Sequence, residues 1–474
     1  MSKTRTETWL ALIVVVIGLI PAAILGLWGY MSATATPLHP NVNDVPSVTR
    51  SAPPPTWAGT VEQARQIVRT ALNERNVPGL SVAVGVDGDI VWAEGFGWAD
   101  LERRVPVAPE TRFRIGTAST ALTSAAVGML LEMDRLNLDD MIRTYVPEIP
   151  EKQWPVTLRQ LMGHVAGVAN DGGDEGPLLS ARCARPVEAL QLLSGYEVEL
   201  LFEPGTRYHY SSYGWILVSA AVEAAADEPF QTFMQKRIFE PLGLRDTRTD
   251  SLTEPIPNRA TFYFPRFAAD PRYGLHLMRP IDYSCYAGSS AFLSTPSDLV
   301  RFGMAVGTLL QPATVRLLQT SQRLTSGEET GYGLGWDLET VALANEQTHS
   351  AGHDGTSLGG DVASLMTFPE HGIVVSVTSN ISYAETSAVA LKIAQAFAEQ
   401  RRTAWAALAT IGTRKSERLD HQSGSECGSP NHASTLLSKR VMAPMRSPVS
   451  VRTTRPVPWR MPPVEFRRYT PNAG

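Results

Sequence analysis

Phe113-Arg114-Ile115-Gly116-Thr117-Ala118-Ser119-Thr120 leads into a run with Leu122, Ala125, Ala126, Met129, Leu130 and Met133 on one helical face. With Gly116 and Thr117 just ahead of that run, the spacing predicts a buried helix that starts at Thr117 or Ala118. Upstream, Leu80 to Val86 and Asp89 to Trp98 are two β-rich runs joined by Asp87-Gly88, a pair suited to a tight hairpin turn. Before them Val61, Ala64, Ile67, Val68, Ala71 and Leu72 recur at helical spacing. Downstream, residues 140 to 300 read as helices and long loops, with helices from Tyr213 to Ala226 and from Pro296 to Val306. Strand patterns return at Tyr332 to Leu338, Thr348 to Ala351, Asp361 to Phe368 and Ile373 to Ser379, followed by a helix from Tyr383 to Gln400. Early and late strands can share one antiparallel sheet only if the helical stretch is an insertion. The fold class expected is therefore α/β, of the α+β kind: an antiparallel sheet flanked by helices with a large all-helical insertion, plus an N-terminal transmembrane helix.

The chain has 474 residues, enough for one large core. Hydrophobic content of 43% and charged content of 19% exclude a disordered chain and a transporter, and a net charge of -5 argues against a nucleic-acid partner. Cys183, Cys285 and Cys427 share no short spacing, so composition suggests neither a disulfide framework nor a zinc finger. The stretch Trp9 to Tyr30 is almost wholly apolar and long enough to cross a bilayer, with Lys3 and Arg5 ahead of it. An anchor with the main domain on the exported, periplasmic or extracellular side is favoured over a cleaved signal peptide, which Ala33-Thr34-Ala35 would also suit; an organelle membrane fits equally. The expected organisation is a stub and anchor over 1–31 and a Pro-rich linker over 32–58 that acts as a stalk. The main domain covers 59–402, its sheet part 59–110 and 320–402 and its helical part 111–319. The remainder, 403–474, is expected to be a disordered tail; from Leu436 it holds eight Lys or Arg against one acid, so a lipid-contacting tail and an out-of-frame end are the weaker readings.

Two further segments bear on chemistry: Gly205-Thr206-Arg207-Tyr208-His209-Tyr210-Ser211-Ser212 and Gly352-His353-Asp354-Gly355-Thr356. Together with Phe113 to Thr120 they resemble the three motifs of the serine β-lactamase and penicillin-binding-protein family, which includes class C β-lactamases, D-alanyl-D-alanine carboxypeptidases, esterases and mitochondrial LACTB-like serine proteases. The resemblance runs from Ala64 to Ala398. It takes in Leu161-Met162-Gly163-His164 and Phe292 to Leu299 as well, and Tyr210-Ser211-Ser212 looks most like the LACTB-like branch.

In that family the first motif is SxxK, with the serine at a helix start where N–H groups and the helix dipole favour a developing oxyanion. The alignment puts Thr117 at the nucleophile and Thr120 at the lysine, so both signature residues are replaced. A threonine hydroxyl still needs a base, and Thr120 provides none. The resemblance makes Tyr210 the tyrosine of the second motif, a proton shuttle that lacks its neighbouring lysine, and makes Ser212 the replacement for the substrate-positioning asparagine. The third motif is His353-Asp354-Gly355: Gly355 lets a substrate approach the strand, the Thr356 N–H pairs with that of Thr117 as an oxyanion hole, and His353 binds an acidic group or serves as base. Ser119 points to another side of the helix. His349 and His353 stand about 13 Å apart on a strand, so no metal is expected, and no cofactor. His164 is expected to brace the turn after its helix.

Two functions are compatible with these residues. One is a hydrolase that acylates on Thr117 with Tyr210 and His353 and acts on amide or ester bonds of peptides, peptidoglycan stems or lactams. The other is a pseudo-enzyme that keeps the cleft, with Ser212, Asp354, Gly355 and Thr356 as ligand contacts, but binds a peptide-like ligand without turnover or acts as a scaffold. The partners expected are a small amide or ester substrate and the membrane; the oligomeric state is open.

Overall fold

A computed structural model describes residues 19–170, 177–193 and 200–423, with side chains through residue 404. A sheet organises the compact unit that ends at Ile411. Its strands are β1 (Ser47–Thr49), β2 (Gly79–Val86), β3 (Asp89–Asp100), β4 (Asp337–Leu343), β5 (Glu346–Ser357), β6 (Gly360–Phe368) and β7 (Ile373–Ser379). Their spatial order is β1-β3-β2-β7-β6-β5-β4, every pairing is antiparallel, and Val105–Pro106 adds a short pairing to β3. The early hairpin and the late strands meet where β2 pairs with β7, Leu80 opposite Ser379 and Val86 opposite Ile373. The β2–β3 turn is built as the sequence suggests: Asp87 and Gly88 both adopt positive φ, which matches the right-handed twist of the strands they join.

Alternation along the strands divides the core between two faces. On one face, Val82 and Val84 of β2, Phe96 of β3 and Val375 and Val377 of β7 meet two helices, α1 (Ala58–Arg75) through Val61, Val68 and Leu72, and the C-terminal helix through Ile393 and Phe397. On the other face, Ala83, Leu365 and Val374 meet the helical insertion. The insertion packs α2 (Ser119–Glu132) and α3 (Ser212–Ala226) around the fully buried Trp215, and α4 (Pro296–Leu309) lies against the sheet through Val300 and Phe302. Each such side chain removed from water contributes about 1.5–3 kcal/mol. The order of the elements thus places α2 at the junction between insertion and sheet.

Several expectations change. The described part of the N-terminal apolar run is a helix over 19–33 with Leu19, Ile24, Leu25 and Tyr30 exposed, and among the described residues no helix is long and apolar enough to cross a membrane. Residues 1–18, which carry the first half of the expected anchor, lie outside the described residues. The Pro-rich stretch read as a stalk runs along the domain. Leu38 N donates to Asn76, His39 is buried with its ring against the Val77 and Pro78 carbonyls, and β1 adds an edge strand to β3. Proline-rich chain is extended already, so it joins a sheet edge at little conformational cost. The last helix, α5 (Thr386–Ser423), continues well beyond Gln400 because Ala, Arg, Lys, Glu and Leu, all good helix formers, predominate there. Residues 424–474, the rest of the expected tail, lie outside the described residues. Cys183 and Cys285 form a disulfide, a pairing across 102 residues that no short-range spacing reveals.

Candidate active site

Thr117 is placed by a close approach of two backbones. Gly116 adopts φ +51 in a 3-10 turn, Gly116–Ala118, that runs into α2, and a Cβ there would stand 2.1 Å from the Thr356 carbonyl oxygen. Across the gap, a Cβ on Gly355 would stand 2.0 Å from the Ile115 carbonyl oxygen. Only two glycines let the turn and β5 come this near. A register shift between Gly355 and Thr356 then aims the Thr356 N–H inward. The result is a saturated hydroxyl: Thr117 Oγ1 accepts from Thr356 N at 2.9 Å, lies 3.1 Å from Thr356 Oγ1, and donates to the Asp354 carbonyl at 3.0 Å.

Arg114 fixes the chain ahead of this turn. Phe113–Arg114 pairs with Phe292–Ser294, which also pairs with Arg248–Thr249. The Arg114 guanidinium is buried between the Phe262 and Tyr283 rings and donates to Asp250 at 2.8 Å and to the Ile281 carbonyl. A buried charge with such a partner costs little only while the pair is intact.

Tyr210 precedes α3, whose N-cap is Ser211. Its hydroxyl is shielded from solvent and faces the hydroxyls of Thr117 and Thr120 without a well-formed hydrogen bond to either. Burial raises its pKa far above the ordinary phenol value, and the Asp337 charge adds to this, so the phenolate needed for a base is disfavoured. His164, with φ +57 and a buried ring, braces this segment: Nδ1 accepts from Ser211 N at 3.1 Å, its carbonyl accepts from His209 N, and its ring lies 4.1 Å from that of Tyr210. Burial holds His164 well below the usual imidazole value, consistent with a neutral ring that accepts through Nδ1.

His353 shares the Asp354 carbonyl with Thr117 and has no hydrogen bond to the Thr117 hydroxyl among the described residues. Tyr332 Oη lies 2.8 Å from its Nε2, and its Nδ1 lies 2.6 Å from the Asp354 carbonyl and 3.8 Å from Asp337 Oδ2. Both ring nitrogens are occupied, so the imidazole as placed cannot take the Thr117 proton. Thr120 is fully buried and donates to the Ser289 carbonyl at 3.5 Å. Ser212 takes part through its backbone, N–H donating to Asn170 Oδ1 at 2.8 Å. His349 pairs with Glu370 instead of joining His353, and among the described residues no group of three or more His, Cys, Asp or Glu is placed to hold a metal ion.

Asp354 is half-buried on β5, and burial first, then the neighbouring Asp337 and Glu339 charges, push its carboxyl up to about 6. Sequence reading missed three residues here. The strand expected over Tyr332 to Leu338 hides Tyr332 and Asp337, since β4 begins at Asp337 and Tyr332 belongs to the preceding turn. Asn170 carried no signal, being 42 residues from the Ser212 it caps.

The arrangement brings Thr117, Thr120, Tyr210, Asp354, Gly355 and Thr356 to one place: a hydroxyl at a helix start, a strand N–H aimed at it and a phenol beside it. The chain is 28% identical over 461 residues to the serine beta-lactamase-like protein LACTB, mitochondrial, of Bos taurus, covering 74% of this chain and 82% of that protein. It is 25% identical over 304 residues to penicillin-binding protein 4* of Bacillus subtilis (strain 168), covering 62% of this chain and 67% of that one. The octameric penicillin-binding protein homologue from Pyrococcus abyssi superposes with a TM-score of 0.60 at 24% identity, over 70% of this chain and 76% of that chain. The β-lactamase family profile matches residues 64–400, from within α1 to within α5 and across every motif above, and the chain therefore belongs to the β-lactamase family, with the fold of its serine hydrolases.

Proposed function

We propose that the cleft binds a peptide-like amide or ester in the pose an acyl enzyme would use, and that acyl transfer through Thr117 is not competent. One observation carries this reading: the Thr117 proton is donated to the Asp354 carbonyl, which is no base, while the groups that could accept it are absent or occupied. Thr120 is neutral, Tyr210 is held protonated by burial, and His353 is engaged at both nitrogens. Activation of a hydroxyl near pH 7 requires one of them. Ligand recognition needs less. Once a carbonyl oxygen displaces Thr117 Oγ1 from the Thr356 N–H, that donor is available to it, and Gly355 leaves the strand open to a peptide backbone.

A second reading, slow hydrolysis on Thr117, is favoured by the same hydroxyl lying 2.9 Å from the Thr356 N–H. The test uses the purified chain with a fluorophosphonate, a penicillin probe and a chromogenic ester. Wild type and Thr117→Ala should be equally unreactive, and Thr117→Ser with Thr120→Lys should gain labelling, since members of a catalytic unit are each worth on the order of 10^4 in rate. Wild-type labelling that disappears in Thr117→Ala would overturn the binding reading in favour of the second.

Export and membrane tethering belong to the same proposal. The apolar run from Trp9 to Tyr30 supports them, as does the Cys183–Cys285 disulfide, since such bonds persist in oxidising compartments.

A further inference from the structure

Three acidic residues, Asp337, Glu339 and Asp354, lie close together beside the Thr117 end of the cleft. Asp337 opens β4 opposite Gly352 of β5, and its Oδ2 accepts from Asp354 N at 3.2 Å. Glu339 lies two residues on, on the same side of the strand, opposite Ser350, and Asp354 lies on β5 two residues beyond Gly352, diagonal to Asp337, with its carboxylate beside the Ser364 hydroxyl. Among the described residues, Asp354 and Glu339 form no ion pair, and Asp337 has only the 3.8 Å approach to His353. The Asp337 charge extends into the site, where it adds to burial in raising the pKa values of Tyr208, Tyr210 and Tyr332.

A cation is missing from the same place. The lysine position holds Thr120, which donates to the Ser289 carbonyl at 3.5 Å, and among the described residues the Tyr210 hydroxyl and the fully buried Ser289 Oγ have no well-formed hydrogen bond. Carboxylates without countercharge beside unpartnered hydroxyls repel an anionic ligand and favour a cationic one. Hydroxyl oxygens and carboxylates are also the acceptors an ammonium requires.

We propose that this cleft selects a ligand carrying a protonated amine, the free α-amine or side-chain ammonium of a peptide amide, and rejects one carrying a carboxylate. The inference rests on the reading of the cleft as a binding site and names its ligand class. Asp337 and Asp354 hold the ammonium, and the amide carbonyl takes the Thr356 N–H.

The test is calorimetric titration of the full chain at pH 7.5 with four probes: leucine amide, Nα-acetyl-lysine amide, N-acetyl-leucine amide and N-acetyl-leucine. At least one amine probe should bind about tenfold or more tightly than the neutral amide, and the carboxylate should bind weakest. Comparing the first two probes tells an α-amine from a side-chain ammonium. Asp337→Asn and Asp354→Asn should each shrink the amine preference, with melting measured alongside so that a variant that fails to fold leaves the other to decide. Added salt should shrink it too. Equal or tighter binding of the neutral or carboxylate probe, a preference that survives in both folded variants, or no binding of any probe would each overturn the inference. Binding without an amine preference refutes this inference alone, whereas the absence of any binding refutes the binding reading with it, so the two failures are separate results.

Discussion

Asp354 shows how one residue records the unusual charge of the cleft. Burial comes first, and Asp337 and Glu339 add to it, while the Ser364 hydroxyl and His353 oppose it; the balance leaves the carboxyl at about 6. Its unfolded value is about 3.9, so the folded chain holds this proton more tightly than the unfolded one. The stabilising contribution is therefore complete below about pH 4 and is lost as pH rises through about 6. Asp354→Asn removes the charge at nearly constant shape. Scanning calorimetry should show the variant gaining on wild type in melting temperature between about pH 4 and about pH 6.5 and no further above it, and a difference that stays constant across that range would refute the assignment. Thr117 records the opposite situation. Its hydroxyl is fully satisfied in the resting cleft, so a ligand must compete with Asp354 and Thr356 for it.

At the scale of elements, the site depends on how near β5 lies to the turn before α2. Gly355→Ala would put a methyl 2.0 Å from the Ile115 carbonyl, a backbone atom that cannot rotate aside. The strand must shift, at a cost of about 1–3 kcal/mol. The Thr356 N–H should then lose Thr117 as acceptor, and hydrogen exchange at the Thr356 amide should accelerate along with the fall in denaturant midpoint. Gly59→Ala in α1, where a Cβ meets nothing within 4 Å, serves as control and should leave both unchanged or slightly improved. The same elements show what could be read in advance. β7 was legible to its ends because Ile373-Val374-Val375 and Val377-Thr378 are β-branched, and the β2–β3 hairpin because Asp87-Gly88 has the required backbone freedom. The stretch from Tyr332 to Leu338 misled because its aromatic and aliphatic residues mimic a strand, whereas Gly331 and Gly335 both adopt positive φ and make it a turn. Tyr332 and Asp337 were lost with it, since their roles arise from packing against His353 and Asp354, which local pattern does not encode.

At the scale of the whole molecule, the Cys183–Cys285 disulfide joins two distant parts of the insertion. Cys285 lies in the turn Ser284–Ser289, which also holds α2 and α3 together: Thr123 donates to the Gly288 carbonyl at 2.8 Å, and Gly288 N donates to Ser219 Oγ at 3.1 Å. The same turn supplies the Ser289 carbonyl to Thr120, so the bond backs the empty lysine position. Closing a loop of this length constrains the unfolded chain by about 4–5 kcal/mol in the chain-entropy view, and measured gains run from about 0 to 5. At about 2 cal/mol/K of unfolding entropy per residue, in a domain of this size about 1 kcal/mol moves the melting temperature by about 1–2 °C. Cys183→Ser with Cys285→Ser should therefore lower it by about 4–10 °C, and dithiothreitol should reproduce the loss in wild type but not in the double variant. Mass spectrometry of the alkylated protein establishes that the bond has been reduced. A fully reduced wild type that melts where the oxidised one does would show that the link stabilises nothing, and would withdraw the support it gives to an oxidising compartment.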